Sequence, residues 1–216
     1  AEEHQTRFTA LQQKVNEESA SRFLAAYNAA ISALNSGDFS TAEAQLAKMK
    51  SLPVGDALKP KVAEVEQKVE GARTDAVKAL LKQCSELRVQ GKYKEAKAKL
   101  DEAYAIATTE ALQKRCESER VEWQAAVDDA FDDLLSKARK ARENKDFAGA
   151  EKLLDQAKNL PLSQTQLLKL SDAVDDNKAK RDEYIKELFT LLENAVKLGD
   201  EKGGEEIVKK LSGFSL

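Results

Sequence analysis

Apolar residues in this chain recur at spacings of three and four, which places them on one face of a helix with 3.6 residues per turn. Between Asp75 and Gln90, the apolar residues at these spacings are Val77, Leu80, Leu81, Cys84 and Leu87. The shorter segment from Tyr93 to Ile106 has the same pattern. The longer segment is followed by a Gly, a residue that favours the left-handed conformation after a helix C-terminus. Segments elsewhere in the chain that match the shorter one end at a Pro. The pattern predicts helices throughout.

This helical pattern repeats with a period of 54 residues, and four periods make up the 216-residue chain. The turn sequences Gly37-Asp38-Phe39, Gly91-Lys92-Tyr93 and Lys145-Asp146-Phe147 lie one period apart. Gly199-Asp200-Glu201 keeps the register without the aromatic residue. Positions that lie one period apart are called a column here. Four further columns contain similar side chains: Phe23, Val77, Phe131 and Ile185; Ala26, Leu80, Leu134 and Leu188; Ala42, Ala96, Ala150 and Gly204; Leu46, Leu100, Leu154 and Val208. The predicted units are 1–54, 55–108, 109–162 and 163–216.

Almost no helix-breaking residue separates the last segment of one unit from the first segment of the next. Neither Gly nor Pro occurs at 109–144 or 164–198, and 56–90 contains only Pro60, near its start, and Gly71. We therefore expect shared helices of about 35 residues, roughly 50 Å long, alternating with helices of about 13 residues. Ser163 and Gln166 have the spacing of a capping box at a helix start. The predicted fold is an all-α, elongated array forming a single domain over 1–216.

The helical hairpin around each turn resembles a tetratricopeptide (TPR) repeat. That motif has a small residue seven positions before a Gly-Asp-Tyr-like turn, followed by Ala, a large apolar residue, a small residue and Pro. Three copies follow it: Ala30, Gly37, Asp38, Phe39, Ala42, Leu46 and Pro53; Cys84, Gly91, Lys92, Tyr93, Ala96, Leu100 and Ala103; Ala138, Asp146, Phe147, Ala150, Leu154, Ala157 and Pro161. The match covers about 34 residues of each unit.

Each unit has about 20 further residues, and Met49 occupies a small-residue position. The continuous helices that these residues create are similar to the shared helices of spectrin. Both resemblances imply noncatalytic protein binding or mechanical spacing. The extra helix changes how the hairpins stack. Peptide binding in the concave groove of a TPR array is therefore a poor guide to the function of this chain.

Composition argues against most catalytic and metal chemistry. One His, two Cys and one Trp leave hardly any raw material for a His-based triad, a multi-His metal site or a Cys-ligated zinc. The 35 basic and 38 acidic residues are interleaved, so neither nucleic acid nor an anionic membrane is favoured. The longest uncharged run, 23–37, is shorter than the roughly 20 residues of a membrane span. We expect no enzyme activity, catalytic residue, cofactor or metal site. His4 is interpreted as an ordinary surface residue.

The two cysteines are expected to face each other within one unit. Counting residues along the predicted helices places Cys84 and Cys116 within roughly 1.5 Å of the same height. They form either a pair of small buried core residues or a disulfide, which would imply an oxidising compartment. A catalytic or metal-binding role is a third interpretation, although no His accompanies the pair.

Asp128, Asp129, Asp132 and Asp133 form the densest acidic cluster of the chain. It is interpreted as a solvated helix face neutralised by nearby Lys and Arg residues, or as a contact for a basic partner or a weak cation site. Trp123 shares a column with Val15, Val69 and Asn177. It is interpreted as a core residue or as an aromatic anchor for a partner.

These features predict a noncatalytic structural or scaffolding protein that spaces or docks protein partners through helix faces. The alternative is a ligand- or peptide-binding accessory module, exported or not, that uses a groove between repeats. Residues 1–18 match the third segment of a unit, because Phe8, Leu11 and Val15 lie one period before Val62, Val65 and Val69. Phe214 and Leu216 are apolar and lack a polar cap. End-to-end self-association, or membership in a longer array, is therefore expected.

Overall fold

The computed structural model describes residues 2–214 and is helical with no strand in that range. Long and short helices alternate along the chain, as the sequence predicts. Eight helices occupy the described residues: α1 (Glu2–Asn35), α2 (Phe39–Ser51), α3 (Lys59–Val89), α4 (Tyr93–Ile106), α5 (Glu110–Glu143), α6 (Phe147–Lys158), α7 (Gln164–Leu198) and α8 (Glu201–Ser212). Leu216, one of the two apolar residues expected at the chain end, lies outside the described residues.

Each long helix is continuous where the sequence lacks a breaker. The bounds of α7 match the predicted segment, and α5 is shorter than the breaker-free segment by one residue at each end. Pro60 lies in the first turn of α3, where its missing N–H needs no partner. Ser163 and Gln166 form the predicted capping box at the start of α7. The predicted alternation of long and short helices is thus confirmed.

A turn of one geometry joins each long helix to the next short one. One or two residues after the end of each long helix, the backbone has a positive φ at Gly37, Gly91, Lys145 and Gly199, which are 54 residues apart. The following backbone N–H donates back to a carbonyl of the helix at 2.9–3.0 Å, closing the 6→1 bond typical of a Schellman motif. The next helix then starts at once, and the Asp38, Asp146 and Asp200 side chains accept from its first turn. The turn geometry therefore follows the sequence period.

Two core clusters are built from the same sequence columns, two periods apart. One contains Phe23, Ala30, Ala42, Leu46 and Met49 among its buried residues. The other contains, at the matching positions, Phe131, Ala138, Ala150, Leu154 and Ala157. These five columns therefore have equivalent packing environments in the two clusters.

Contacts within the chain group its residues into two compact units, 1–121 and 122–216. In the first unit, α1 packs on α2 and α3, and α3 packs on α2 and α4. In the second, α7 packs on α6 and α8. This grouping is coarser than the four 54-residue units that the sequence period defines.

Candidate functional site

The turn residues that mark the repeat have a structural role. Phe39 is half-buried, and the guanidinium of Arg73 lies 5.4 Å from its ring centroid. Tyr93 is also half-buried. Phe147 is buried, with its ring 5.9 Å from Tyr184 and 6.2 Å from Phe214. Phe214, expected to leave an uncapped apolar end, therefore packs against α6 and α7.

Cys84 and Cys116 are free thiols, and both are buried. Burial raises the pKa of Cys84 to about 12, with further contributions from the charge of Glu119 and a hydrogen bond to it. Glu119 lies one turn beyond Cys116 on α5, so the Cys84 thiol faces the part of α5 that contains Cys116. Burial also raises the pKa of Cys116. Because thiolates are the reactive species, this environment disfavours a nucleophilic role for either residue.

Trp123 is 5% exposed, so its ring is a core component and is not available to anchor a partner. This corrects the interpretation of Trp123 as a surface contact. The sequence column already indicated burial, because Val69 at the same position is buried too.

The four acidic residues of α5 divide into different environments. Asp128 is half-buried and accepts hydrogen bonds from Gln124 at 2.8 Å and Gln166 at 2.9 Å. Asp133 is paired with Lys137 at 2.7 Å, and Asp129 is exposed. Asp132 lines a groove in the second unit. Across residues 2–214, no group of three or more His, Cys, Asp or Glu side chains is placed to bind a metal ion.

The groove that Asp132 lines, called here the α5–α7 groove, has a volume of about 510 Å³. Such a volume is typical of ligand pockets. Its apolar lining comes from α5, α6 and α7, and its charged lining comes from α5 and α7. The lining residues are Asp132, Leu135, Ser136, Ala138, Arg139, Arg142, Ala150, Leu154, Asp172, Ala173, Asp176 and Asn177.

Asn177 gives the groove a polar group that lacks a hydrogen-bond partner. The side chain is 8% exposed, and its Nδ2 donates to the Phe147 carbonyl oxygen at 3.3 Å. Its Oδ1 is buried and has no hydrogen-bond partner. Because the carbonyl oxygen of Phe147 can only accept, the amide cannot be turned over to satisfy Oδ1 instead. A buried acceptor left in this state costs about 1–3 kcal/mol.

The same columns in the first unit contain apolar residues. Ala173 and Asn177 correspond to Val65 and Val69, which are buried in the first core cluster. Arg139 and Arg142 correspond to Ile31 and Leu34, which pack against that cluster. Substitution of apolar by polar or smaller side chains at these positions is therefore what distinguishes the α5–α7 groove from the equivalent region of the first unit.

The sequence did not single out Asn177 as a candidate binding residue, although a signal was present. Its column contains Val15, Val69 and Trp123, so Asn177 is a polar residue at a position with core packing. An amide at such a position requires both a hydrogen-bond acceptor for its nitrogen and a hydrogen-bond donor for its oxygen.

A second exposed feature lies at the start of the chain. Phe8, Leu11 and Val15 on α1 are 61%, 55% and 59% exposed, and they form one face at helical spacing. This set is called here the α1 face. One period later, Val62 is half-buried while Val65 and Val69 are buried.

The hairpin of α7 and α8 exposes the complementary columns. Phe189 and Val208 are 44% and 51% exposed. Their counterparts in the first unit, Tyr27 and Leu46, pack in the cluster that includes Val65 and Val69. We call this set the α8 face.

No family model matches the chain, and no curated protein or solved structure matches it either. In the described residues, no helix is both long and apolar enough to cross a membrane.

Proposed function

We propose that this chain is a noncatalytic structural protein that docks protein partners through helix faces, and that one partner is a second copy of itself. The supporting observation is the exposure of two matching surfaces. The α1 face has the columns that pack onto a helical hairpin in the first unit, and the α8 face has the hairpin columns that receive them. A TPR-like and spectrin-like organisation of the helices is part of this proposal.

Docking of the α1 face of one copy onto the α8 face of another would reproduce packing that the chain already uses internally. The driving force is burial of apolar side chains, at roughly 25 cal/mol per Å² removed from water. The two surfaces differ, so the contact is heterologous and adds copies head to tail.

Sedimentation equilibrium across a concentration series tests this proposal. We expect the unmodified chain to self-associate, and Leu11→Glu or Val208→Glu to suppress association, because each buries a charge in the interface. Gln12→Glu, on the neighbouring exposed residue, is the matched control and should associate as the unmodified chain does.

Mixing the two face variants gives a more specific result. Leu11→Glu retains the α8 face and Val208→Glu retains the α1 face, so an equimolar mixture should form one heterodimer although neither variant associates alone. A monomeric unmodified chain at every concentration, or a mixture that stays monomeric, would contradict the proposed self-association.

A second candidate function is favoured by the α5–α7 groove. A peptide- or ligand-binding module requires a concave apolar site with a few polar groups, and the groove with its Asn177 acceptor fits that description. Binding at the groove and docking through the α1 face are compatible in one scaffold, since they use different residues.

A further inference from the structure

The buried oxygen of Asn177 requires a hydrogen-bond donor. Its own Nδ2 is held by the Phe147 carbonyl, which fixes the orientation of the amide and leaves Oδ1 without a partner. A ligand with an N–H or O–H group would satisfy this oxygen. A purely apolar ligand or a carboxylate ion would leave it unsatisfied.

The apolar part of the groove favours an aliphatic ligand. Its lining includes Leu135, Leu154 and three alanines, contributed by three helices. Small side chains here leave room for methylene groups to contact the lining, and no aromatic side chain lines the groove to stack against a ring. At about 510 Å³, the groove exceeds what one side chain fills, so it accommodates a side chain together with adjacent backbone.

The charged lining favours a cation. Arg142 is already paired with Asp176 at 2.5 Å, and Arg139 lies 3.9 Å from Glu143, which is outside the lining. Asp132 and Asp172 supply two further carboxylates. Because three Asp face two Arg in the lining, its net charge is negative.

These three properties coincide in a lysine side chain, which has an aliphatic stem and an ammonium group with three donors. We propose that the α5–α7 groove binds a lysine side chain of a partner protein, whose ammonium group donates to Asn177 Oδ1 and is balanced by Asp132 and Asp172. This inference rests on the second candidate function and is independent of the α1 face.

Binding is tested by nuclear magnetic resonance on the isotope-labelled full chain. The probe is a blocked Ala-Ala-Lys-Ala-Ala peptide, with norleucine in place of lysine as the control, since norleucine keeps the stem and lacks the charge. We expect the lysine peptide to shift the side-chain amide signal of Asn177 and the backbone signals of Ala150 and Ala173. The norleucine peptide should cause no saturable shift.

Three variants distinguish what the Asn177 hydrogen bond and the Asp172 charge each contribute to binding of the lysine peptide. Asn177→Val introduces the residue of the matching column and should weaken binding of the lysine peptide by about tenfold or more, because a hydrogen bond to a charged group is lost. Asp172→Asn should weaken it about two- to threefold, as expected for an exposed charge. Asp175→Asn makes the same charge change on the same helix outside the groove and should leave binding unchanged. Thermal unfolding checks that each variant is folded.

Each remaining outcome would overturn the proposal. Equal binding of both peptides, unchanged binding by Asn177→Val, or no binding of the lysine peptide would exclude a lysine site. If free n-butylammonium binds as tightly as the lysine peptide, the ligand is a small amine and the protein source is wrong. None of these results affects the sedimentation experiment, so failure of the groove is distinguishable from failure of self-association.

Discussion

At the scale of single residues, Cys84 differs from its counterparts in the repeat by being ionisable. Ala30 and Ala138 occupy the same column, and all three are buried. Burial, and after it the charge and hydrogen bond of Glu119, raises the pKa of the Cys84 thiol from 9.0 to about 12. Folding therefore favours the protonated thiol over the thiolate.

This raised pKa predicts that the chain loses stability in alkaline solution. The contribution of Cys84 is fully present below about pH 9, where the thiol is protonated in both states, and is lost as pH rises towards about 12. Cys84→Ala should flatten the decline in the free energy of unfolding, measured by urea denaturation across this range. Part of the slope remains because the pKa of Tyr104 is also raised to about 12. If the free energy of unfolding of Cys84→Ala falls with pH as steeply as that of the unmodified chain, this account is wrong.

Asn177 shows how far single residues were predictable. The column identified the position as a core position, but whether a buried amide finds partners depends on the backbone groups around it. The Phe147 carbonyl supplies one partner, and the three-dimensional arrangement of the helices leaves Oδ1 without a second one. Trp123 shows the converse case, since its column indicated burial and the structure buries it.

At the scale of helices and turns, one position of the repeated turn departs from glycine. Lys145 has a φ of 63°, whereas Gly37, Gly91 and Gly199 have φ values of 69–74°. A residue with a Cβ atom in this conformation is less stable by roughly 1–2 kcal/mol. The Lys145 ammonium lies 4.9 Å from the Tyr184 ring centroid, a contact that offsets part of this cost.

A pair of substitutions isolates the backbone effect at this turn. Lys145→Gly and Lys145→Ala both remove the contact with Tyr184. The difference between their free energies of unfolding therefore reports the cost of the left-handed conformation alone. We expect Lys145→Gly to be more stable than Lys145→Ala by about 1 kcal/mol in urea denaturation. The same pair at Lys152, exposed within α6, should show the opposite order by about 1 kcal/mol. Equal stabilities at position 145 would contradict the strained turn.

Helix bounds were predictable because they depend on local chemistry. Gly, Pro and the capping box act within one turn of the chain, and the observed bounds follow them at α4 and α7. The α5–α7 groove was not predictable in the same way. It arises where side chains from three helices, up to 45 residues apart, fail to fill the space between them.

At the scale of the whole molecule, the packing contacts connect helices that are close in sequence. In the first unit α1, α2, α3 and α4 pack on near neighbours, and in the second α7 packs on α6 and α8. Stability in such a chain is approximately the sum of local terms and nearest-neighbour terms. Loss of packing in one core cluster should therefore destabilise mainly the helices that contribute residues to that cluster.

Phe23 and Phe131 offer a matched test of this locality, because they occupy one column and are both almost fully buried. Replacement of either by Ala should cost about 3–5 kcal/mol locally, through lost burial and the cavity left behind. We expect amide hydrogen exchange in Phe23→Ala to accelerate in α1 to α3 while α7 and α8 keep their protection. Phe131→Ala should accelerate exchange in α6 and α7 while α2 keeps its protection. If either variant accelerates exchange uniformly along the chain, the molecule unfolds as one cooperative unit, and the additive description of the repeat is wrong.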